Sequence, residues 1–262
     1  MRHPGTARPQ PPWLLVATLV AVAALAWGGP AQARDARDVK VAVAANFTAA
    51  AKKLAAAFET ASGAKVILSF GSTGQLYTQI TQGAPFEVFL AADRERPWKA
   101  VEEGSAVAGS RYTYAVGRLV LYSRTDGLEL GEAALKARNF TRLAIANPTT
   151  APYGAAAVQT MKALGVYEAL IPKIVQGSSI AQTYQFVASG NAELGFVALS
   201  QVAKVEVGSR WVVPGRMHAP IAQDAVLLKA GAGNDSARGF LAFLKGPQAR
   251  EIIETFGYGV GE

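Results

Sequence analysis

The chain has 262 residues, half of them hydrophobic and 17% charged, enough for one large core or two modest ones. It has no cysteine, which excludes a disulfide scaffold, thiol catalysis, thiolate metal sites and a lipid-modified cysteine anchor. Its 26 basic and 19 acidic residues leave +7, scattered along the chain; the densest basic pair, Lys52-Lys53, falls on the polar side of a helical pattern, as a solvated face does and a nucleic-acid patch does not.

The first 33 residues differ from the rest. Arg2 and Arg8 make a positive start, Trp13 to Trp27 is a 15-residue apolar run, and Ala31-Gln32-Ala33 is a small-x-small cleavage signal. That layout predicts a secretory signal peptide over residues 1–33, cleaved after Ala33 and directing the protein to the periplasm. The run is short for a membrane span, which needs about 20 apolar residues. Cleavage removes two basic and no acidic residues, leaving 24 against 19, or +5.

Beyond it, β-branched runs alternate with helical patterns. Strands are predicted over 39–43, 65–70, 86–91, 116–123, 142–147, 194–199 and 221–228, with residues 173–176 leading into a helix. Helices are predicted over 47–62, where Phe47, Ala51, Leu54 and Phe58 recur at near-helical spacing, and over 73–81, 155–164 and 180–189. Residues 235–256 read as two packed helices. Gly63, Gly83 and Gly165 stand where helices stop. The alternation predicts an α/β protein of βαβ units with right-handed crossovers and helices on both sheet faces. No Pro/Gly/Ser-rich tether marks a domain boundary, so domains must be joined by strands or short crossings.

In open α/β sheets, ligands bind beyond the C-terminal ends of strands, where helices begin. Four such junctions stand out: Ala44-Ala45-Asn46, Gly71-Ser72-Thr73, Ala151-Pro152-Tyr153-Gly154 and Gly177-Ser178-Ser179-Ile180. Each sets small or hydroxyl residues before a helix, whose free N–H groups and dipole make an anion site. Taken singly, Asn46 or Ser72 is as readily an ordinary N-cap and Tyr153 a packed aromatic. As a set, the four offer donors and no carboxylate, Lys or Arg. Such a set suits a fully ionised dianion: sulfate, molybdate or tungstate. Hydrogen phosphate would bury a proton with no side-chain acceptor, at a cost of about 1–3 kcal/mol.

At these loops the chain resembles the molybdate-binding periplasmic protein family. The resemblance rests on Val-Ala-Ala-Asn-Phe (43–47), Phe-Gly-Ser-Thr-Gly-Gln-Leu (70–76), the stretch 83–93 ending Leu-Ala-Ala-Asp, and Asn-Pro through Ala-Pro-Tyr-Gly (147–154). It continues in Gly-Ser-Ser-Ile-Ala-Gln-Thr (177–183), Glu-Leu-Gly-Phe-Val-Ala (193–198) and the ending 243–258. It implies the type II periplasmic binding fold, two α/β lobes around a ligand cleft, with lobe 1 at 34–116 plus 224–262 and lobe 2 at 117–223. It implies binding of molybdate or tungstate, no cofactor, a monomeric receptor that docks a membrane ABC permease, and hinge closure over the ligand. By position it carries Ala45, Asn46, Ser72 and the Ile180 backbone to the site, with Asn46, Ser72, Tyr153 and Ile180 around the metal of the oxyanion. Many members have a binding tyrosine where this chain has Ala198; Tyr153 matches the tyrosine of another branch and is expected to supply that donor. Asp93 and Asp224 match the pattern too and read as structural.

Two other readings stay open at this stage. A sulfate- or thiosulfate-type receptor would use the same donors, because pocket size is not written in the sequence. A hydrolase would have to use His218, the one histidine of the mature chain, and no Gly-x-Ser-x-Gly elbow, P-loop or Gly-x-Gly-x-x-Gly accompanies it.

Overall fold

The computed structural model describes residues 37–259 and Met1; the export signal expected over 1–33 and its cleavage site lie outside the stretch 37–259. In chain order the elements are β1 (Val39–Ala44), α1 (Thr48–Ser62), β2 (Val66–Gly71), α2 (Thr73–Thr81), β3 (Val88–Leu90), α3 (Glu95–Glu102), β4 (Tyr112–Gly117) and β5 (Leu119–Ser123). There follow α4 (Glu132–Ala137), β6 (Leu143–Ala146), α5 (Pro152–Ala163), α6 (Tyr167–Leu170), β7 (Ile174–Gly177), α7 (Ile180–Ala188), β8 (Leu194–Ala198) and α8 (Leu199–Val202). The chain closes with β9 (Ser209–Val212), β10 (Ile221–Leu227), α9 (Asp235–Phe243) and α10 (Pro247–Glu254).

The strands form two five-stranded sheets, ordered β2-β1-β3-β10-β4 and β7-β6-β8-β5-β9. Each holds a parallel trio: β1 between β2 and β3, and β6 between β7 and β8. Here the structure corrects the expectation of parallel βαβ units throughout. β10 runs antiparallel to β3 and β4, and β5 antiparallel to β8 and β9. These strands lie where the chain passes from one sheet to the other, so their direction follows from the crossing and not from a returning helix. The single strand expected over 116–123 is likewise two strands in different sheets, parted only by Arg118. The residues on both sides of Arg118 are apolar, and β5 is buried along its whole length, so the sequence does not mark the break. Strand β9 and helices α3, α4, α6 and α8 are not among the elements the sequence predicts.

Burial follows the two-residue period of the strands. In the first sheet Val39, Val41 and Val43 face Leu54, Phe58 and Phe240 of α1 and α9, while Ala42 and Phe89 face Leu76 and Ile80 of α2. In the second, Leu119, Leu121, Leu143 and Phe196 pack with Ala157 and Met161 of α5; Val120, Ala144 and Val197 face Val187 of α7 and Val202 of α8. Truncating a fully buried side chain such as Phe47 or Leu121 is expected to cost about 3–5 kcal/mol. Gly63 ends α1 in the left-handed region, φ 74°, its N–H returning to Glu59 O. With both faces of both sheets covered, the C-terminal strand ends and their turns are what remains to meet a ligand.

Candidate functional site

Beyond the ends of β1, β2 and β3 in one sheet and β6 and β7 in the other, the turns into helices surround a cavity of about 10 Å³. Ala44, Ala45, Asn46, Gly71, Ser72, Thr73 and Ala92 line it from the first sheet, and Ala151, Pro152, Tyr153 and Ile180 from the second. All five residues expected at the site are brought together. Organic ligands occupy pockets of about 300–1,000 Å³, so this space fits a smaller species. None of the lining residues is charged.

The local sequence explains each wall. Pro152 takes the first position of α5, where its missing N–H costs nothing. Gly154 lies so near the end of β6 that a Cβ would overlap the Ala146 carbonyl, which draws the start of α5 and Tyr153 against the sheet. Asn147 shapes the preceding turn, its side chain accepting from Thr149 N at 2.9 Å and its carbonyl from Ala151 N at 2.9 Å. Helix α2 begins at Thr73 and α7 at Ile180, so two nine-residue helices start at the cavity wall, with Gly74 N committed to Thr150 O and Gln182 N to the Ser179 hydroxyl.

Two serines in matching positions do opposite things. Ser179 caps α7, its hydroxyl accepting from Gln182 N at 3.3 Å. Ser72 stands at the N-cap of α2 and caps nothing. Its Oγ is buried and without a hydrogen-bond partner among the described residues, a state shared only with Thr150 Oγ1. An orphaned buried hydroxyl costs about 1–3 kcal/mol, and the fold around Ser72 does nothing to offset it.

Asn46 contributes differently from an exposed donor. Its Nδ2 has two protons, and both are committed within the protein, to Gln223 Oε1 at 3.0 Å and to the Tyr258 hydroxyl at 3.0 Å. What Asn46 and Ala45 present is the backbone of the turn before α1. Tyr153 is buried, and its hydroxyl oxygen accepts from Gln223 Nε2 at 3.2 Å. Burial, with nearby Tyr258 adding to it, pushes the Tyr153 hydroxyl well above the usual tyrosine range, so it is a neutral donor. Gly117 makes room for that ring tip, since a Cβ there would overlap the Tyr153 hydroxyl. Ala198, at the end of β8, is buried but does not line the cavity.

Nearby charges are turned elsewhere. Asp93 accepts from Arg96 N at 2.9 Å and pairs with its guanidinium; burial raises its carboxyl above the ordinary range. Asp224 accepts from Thr113 Oγ1 at 2.7 Å and pairs with Arg111. A larger groove of about 510 Å³ adjoins the cavity, and its lining is charged with both signs, Asp93 and Glu95 beside Arg94 and Arg96, unlike that of the cavity. His218 is partly buried, its Nδ1 2.7 Å from the carbonyl of its neighbour Ala219. Among the described residues, no group of three or more His, Asp and Glu could hold a metal cation, and no helix is long and apolar enough to cross a membrane.

Five polar contacts tie the halves together around the cavity: Gly74 N to Thr150 O at 2.8 Å, Arg96 to Thr149 O at 2.9 Å, Ser200 Oγ to Asn46 O at 2.9 Å, the Tyr258 hydroxyl to Ser200 Oγ at 2.9 Å, and Gln223 Nε2 to the Tyr153 hydroxyl at 3.2 Å. Sequence reasoning missed Ser200, Tyr114, Tyr258 and Gln223, the polar floor of the site. Tyr258 lies in a string that carries the family resemblance and Gln223 stands beside Asp224, yet periodicity says nothing about where a buried hydroxyl or amide points.

Two α/β lobes with a donor-lined cavity between their sheets are the build of a solute receptor. The sequence profile of the bacterial extracellular solute-binding proteins matches residues 39–259. The molybdate-binding protein ModA of Azotobacter vinelandii is 56% identical over 243 residues, covering 91% of this chain and 96% of that protein. The protein of the same name from Rhodobacter capsulatus is 56% identical over 223 residues, covering 85% and 88%. The solved periplasmic molybdate-binding protein of Azotobacter vinelandii superposes with a TM-score of 0.83 at 40% identity, covering 86% of this chain and all of that one. The chain belongs to the extracellular solute-binding proteins and, within them, to the family of these ModA proteins, a family of transport and not of catalysis.

Proposed function

We propose that the protein captures molybdate, or tungstate, in the periplasm and delivers it to the membrane permease of an ABC transporter. The observation that carries this reading is the unpartnered Ser72 hydroxyl, buried in a small cavity with no charged residue in its lining. Ser72 Oγ, the Tyr153 O–H, the Ile180 N–H and the turn backbone at Ala45 and Asn46 are the donors assigned to the oxyanion. Hydrogen bonds to a charged group contribute roughly 1.5–3 kcal/mol each, so half a dozen sum to a gross figure of about 9–18 kcal/mol. Association costs on the order of 4–15 kcal/mol, which leaves micromolar or tighter binding within reach without any cationic side chain. A donor-only lining favours an ion with no proton of its own, and so molybdate over hydrogen phosphate.

In this reading the receptor is a monomer without nucleic-acid partners, exported by residues 1–33. By sheet membership lobe 1 runs through β4 and resumes with β10 at Ile221, a few residues before the 224 expected from the sequence; lobe 2 lies between, and the two close by a hinge at the crossing strands. The test is calorimetry and thermal shift against molybdate, tungstate, sulfate and phosphate. Tight binding of the first two, with sulfate far weaker and phosphate absent, is expected; a sulfate response equal to that for molybdate overturns the assignment.

A further inference from the structure

Gln223 lies in β10, fully buried beneath the cavity and not among the residues that line it. The register of β10 against β4 shifts between Gln223 and Asp224, and the two side chains serve separate clusters. Asp224 joins Arg111 and Thr113, whereas the Gln223 carboxamide enters a network of neutral groups. Its Oε1 accepts from Asn46 Nδ2 at 3.0 Å and faces, at 3.1 Å, the Tyr114 hydroxyl, whose one proton is shared with the Ala91 carbonyl, also at 3.1 Å. With the oxygen held by these donors, the amide nitrogen is the end left for Tyr153, and it donates to the Tyr153 oxygen at 3.2 Å. A phenol has one proton, and here the oxygen is already engaged as an acceptor from below. The proton is therefore free for the cavity. Were the amide reversed, an acceptor would stand under Tyr153 and draw its proton inward, and the site would gain an oxygen facing the ligand.

We propose that Gln223 is a positioning residue that fixes Tyr153 as a one-way proton donor toward the bound oxyanion. This rests on the reading of the cavity as the molybdate site. A carboxamide achieves the direction without charge; a carboxylate in its place would repel the dianion. Asn46 sets the polarity of the chain, since both of its Nδ2 protons are spent on Gln223 and Tyr258. The consequence is selective: a hydroxyl locked as donor cannot accept a proton from a hydrogen-bearing oxyanion, so Gln223 sharpens discrimination without touching the ligand.

The test is a double-mutant cycle on the full protein with sodium molybdate as titrant: unaltered, Tyr153→Phe, Gln223→Met, and both together. Expected are at least a tenfold loss for Gln223→Met with Tyr153 intact, and less than threefold in the Tyr153→Phe background. A loss by the same factor in both backgrounds overturns the positioning role, because an effect of packing alone does not depend on the hydroxyl. If Gln223→Met does not fold by circular dichroism, Tyr114→Phe, which removes one of the donors facing Oε1, takes its place. A loss of two- to threefold confined to the background with the Tyr153 hydroxyl then supports the role, and an equal loss in both overturns it. Failure of the unaltered protein to bind molybdate sinks the functional reading and this role with it. Binding that Tyr153→Phe leaves undiminished sinks the role while leaving the receptor intact.

Discussion

Gly74, in the first turn of α2, donates its N–H to the carbonyl of Thr150 at 2.8 Å, a backbone bond between the two halves of the molecule. A Cβ on Gly74 would stand 3.0 Å from Thr150 Cα and 3.1 Å from Thr150 O. Gly74→Ala should therefore hinder approach of the lobes while improving the helix itself by roughly 0.5–1 kcal/mol. The expected result is molybdate affinity lower by about tenfold, about 1.4 kcal/mol, with ligand-free stability unchanged or higher. Calorimetry and thermal unfolding of the same variant check the two signs.

Ser72→Ala separates binding from folding in the same way. Removing a buried hydroxyl with no partner relieves a desolvation cost, so the ligand-free melting temperature should stay level or rise. The lost bond to a dianion should weaken molybdate binding by about 1.5–3 kcal/mol, roughly ten- to a hundredfold. A melting temperature that falls without loss of affinity would show the hydroxyl to be structural.

Gly117→Ala attacks the site from beneath. The new Cβ would overlap the Tyr153 hydroxyl and lie 2.7 Å from Gln223 Nε2, forcing both off their positions. Both properties should suffer: affinity by more than tenfold, and stability by about 1–3 kcal/mol from overpacking. Urea unfolding with isothermal titration measures the pair.

Alkali should unfold the protein through its tyrosines. Burial raises the hydroxyls of Tyr114, Tyr153 and Tyr258 above the ordinary tyrosine value. Below about pH 10 these groups are protonated whether the chain is folded or not, and they add no pH dependence. Above it the unfolded chain loses protons that the folded chain keeps, so stability falls as pH rises, by about 1.4 kcal/mol per pH unit for each group and about 4 for all three. Denaturant titrations between pH 8 and 11 should show this slope, with partly buried Tyr112 adding to it, and Tyr153→Phe should remove one group's share. Molybdate affinity should stay flat from pH 6 to 9, where the hydroxyl donors all remain neutral.

How much of this was legible in the sequence depended on what a residue's neighbours could reveal. Helix α1 was plain because Leu54 and Phe58 recur on one face and Gly63 closes it. Strand β9 was not, because Trp211 and Val212 are only partly buried at a sheet edge and the alternation is short. The break at Arg118 was hidden because both flanking strands are apolar, and only the partners of each strand distinguish the sheets. At the site, the donor character of the four junctions could be read directly from residue type. The contrast between Ser72 and Ser179 could not, since both precede a helix in the same way and only geometry shows which hydroxyl the helix uses. The polar floor under the cavity was invisible for a similar reason: Asn46 and Gln223 are 177 residues apart and meet only after both sheets have formed.

A lining rich in alanine, glycine and proline leaves little for evolution or mutagenesis to edit. Substituting most of these side chains changes the volume of the recess but not the amide protons that bound it. Selectivity among tetrahedral oxyanions is therefore tuned by the shape of the turns, through residues such as Gly71, Pro152 and Gly154, and an engineer seeking a new ion would do better to reshape the loops than to replace the groups that touch it.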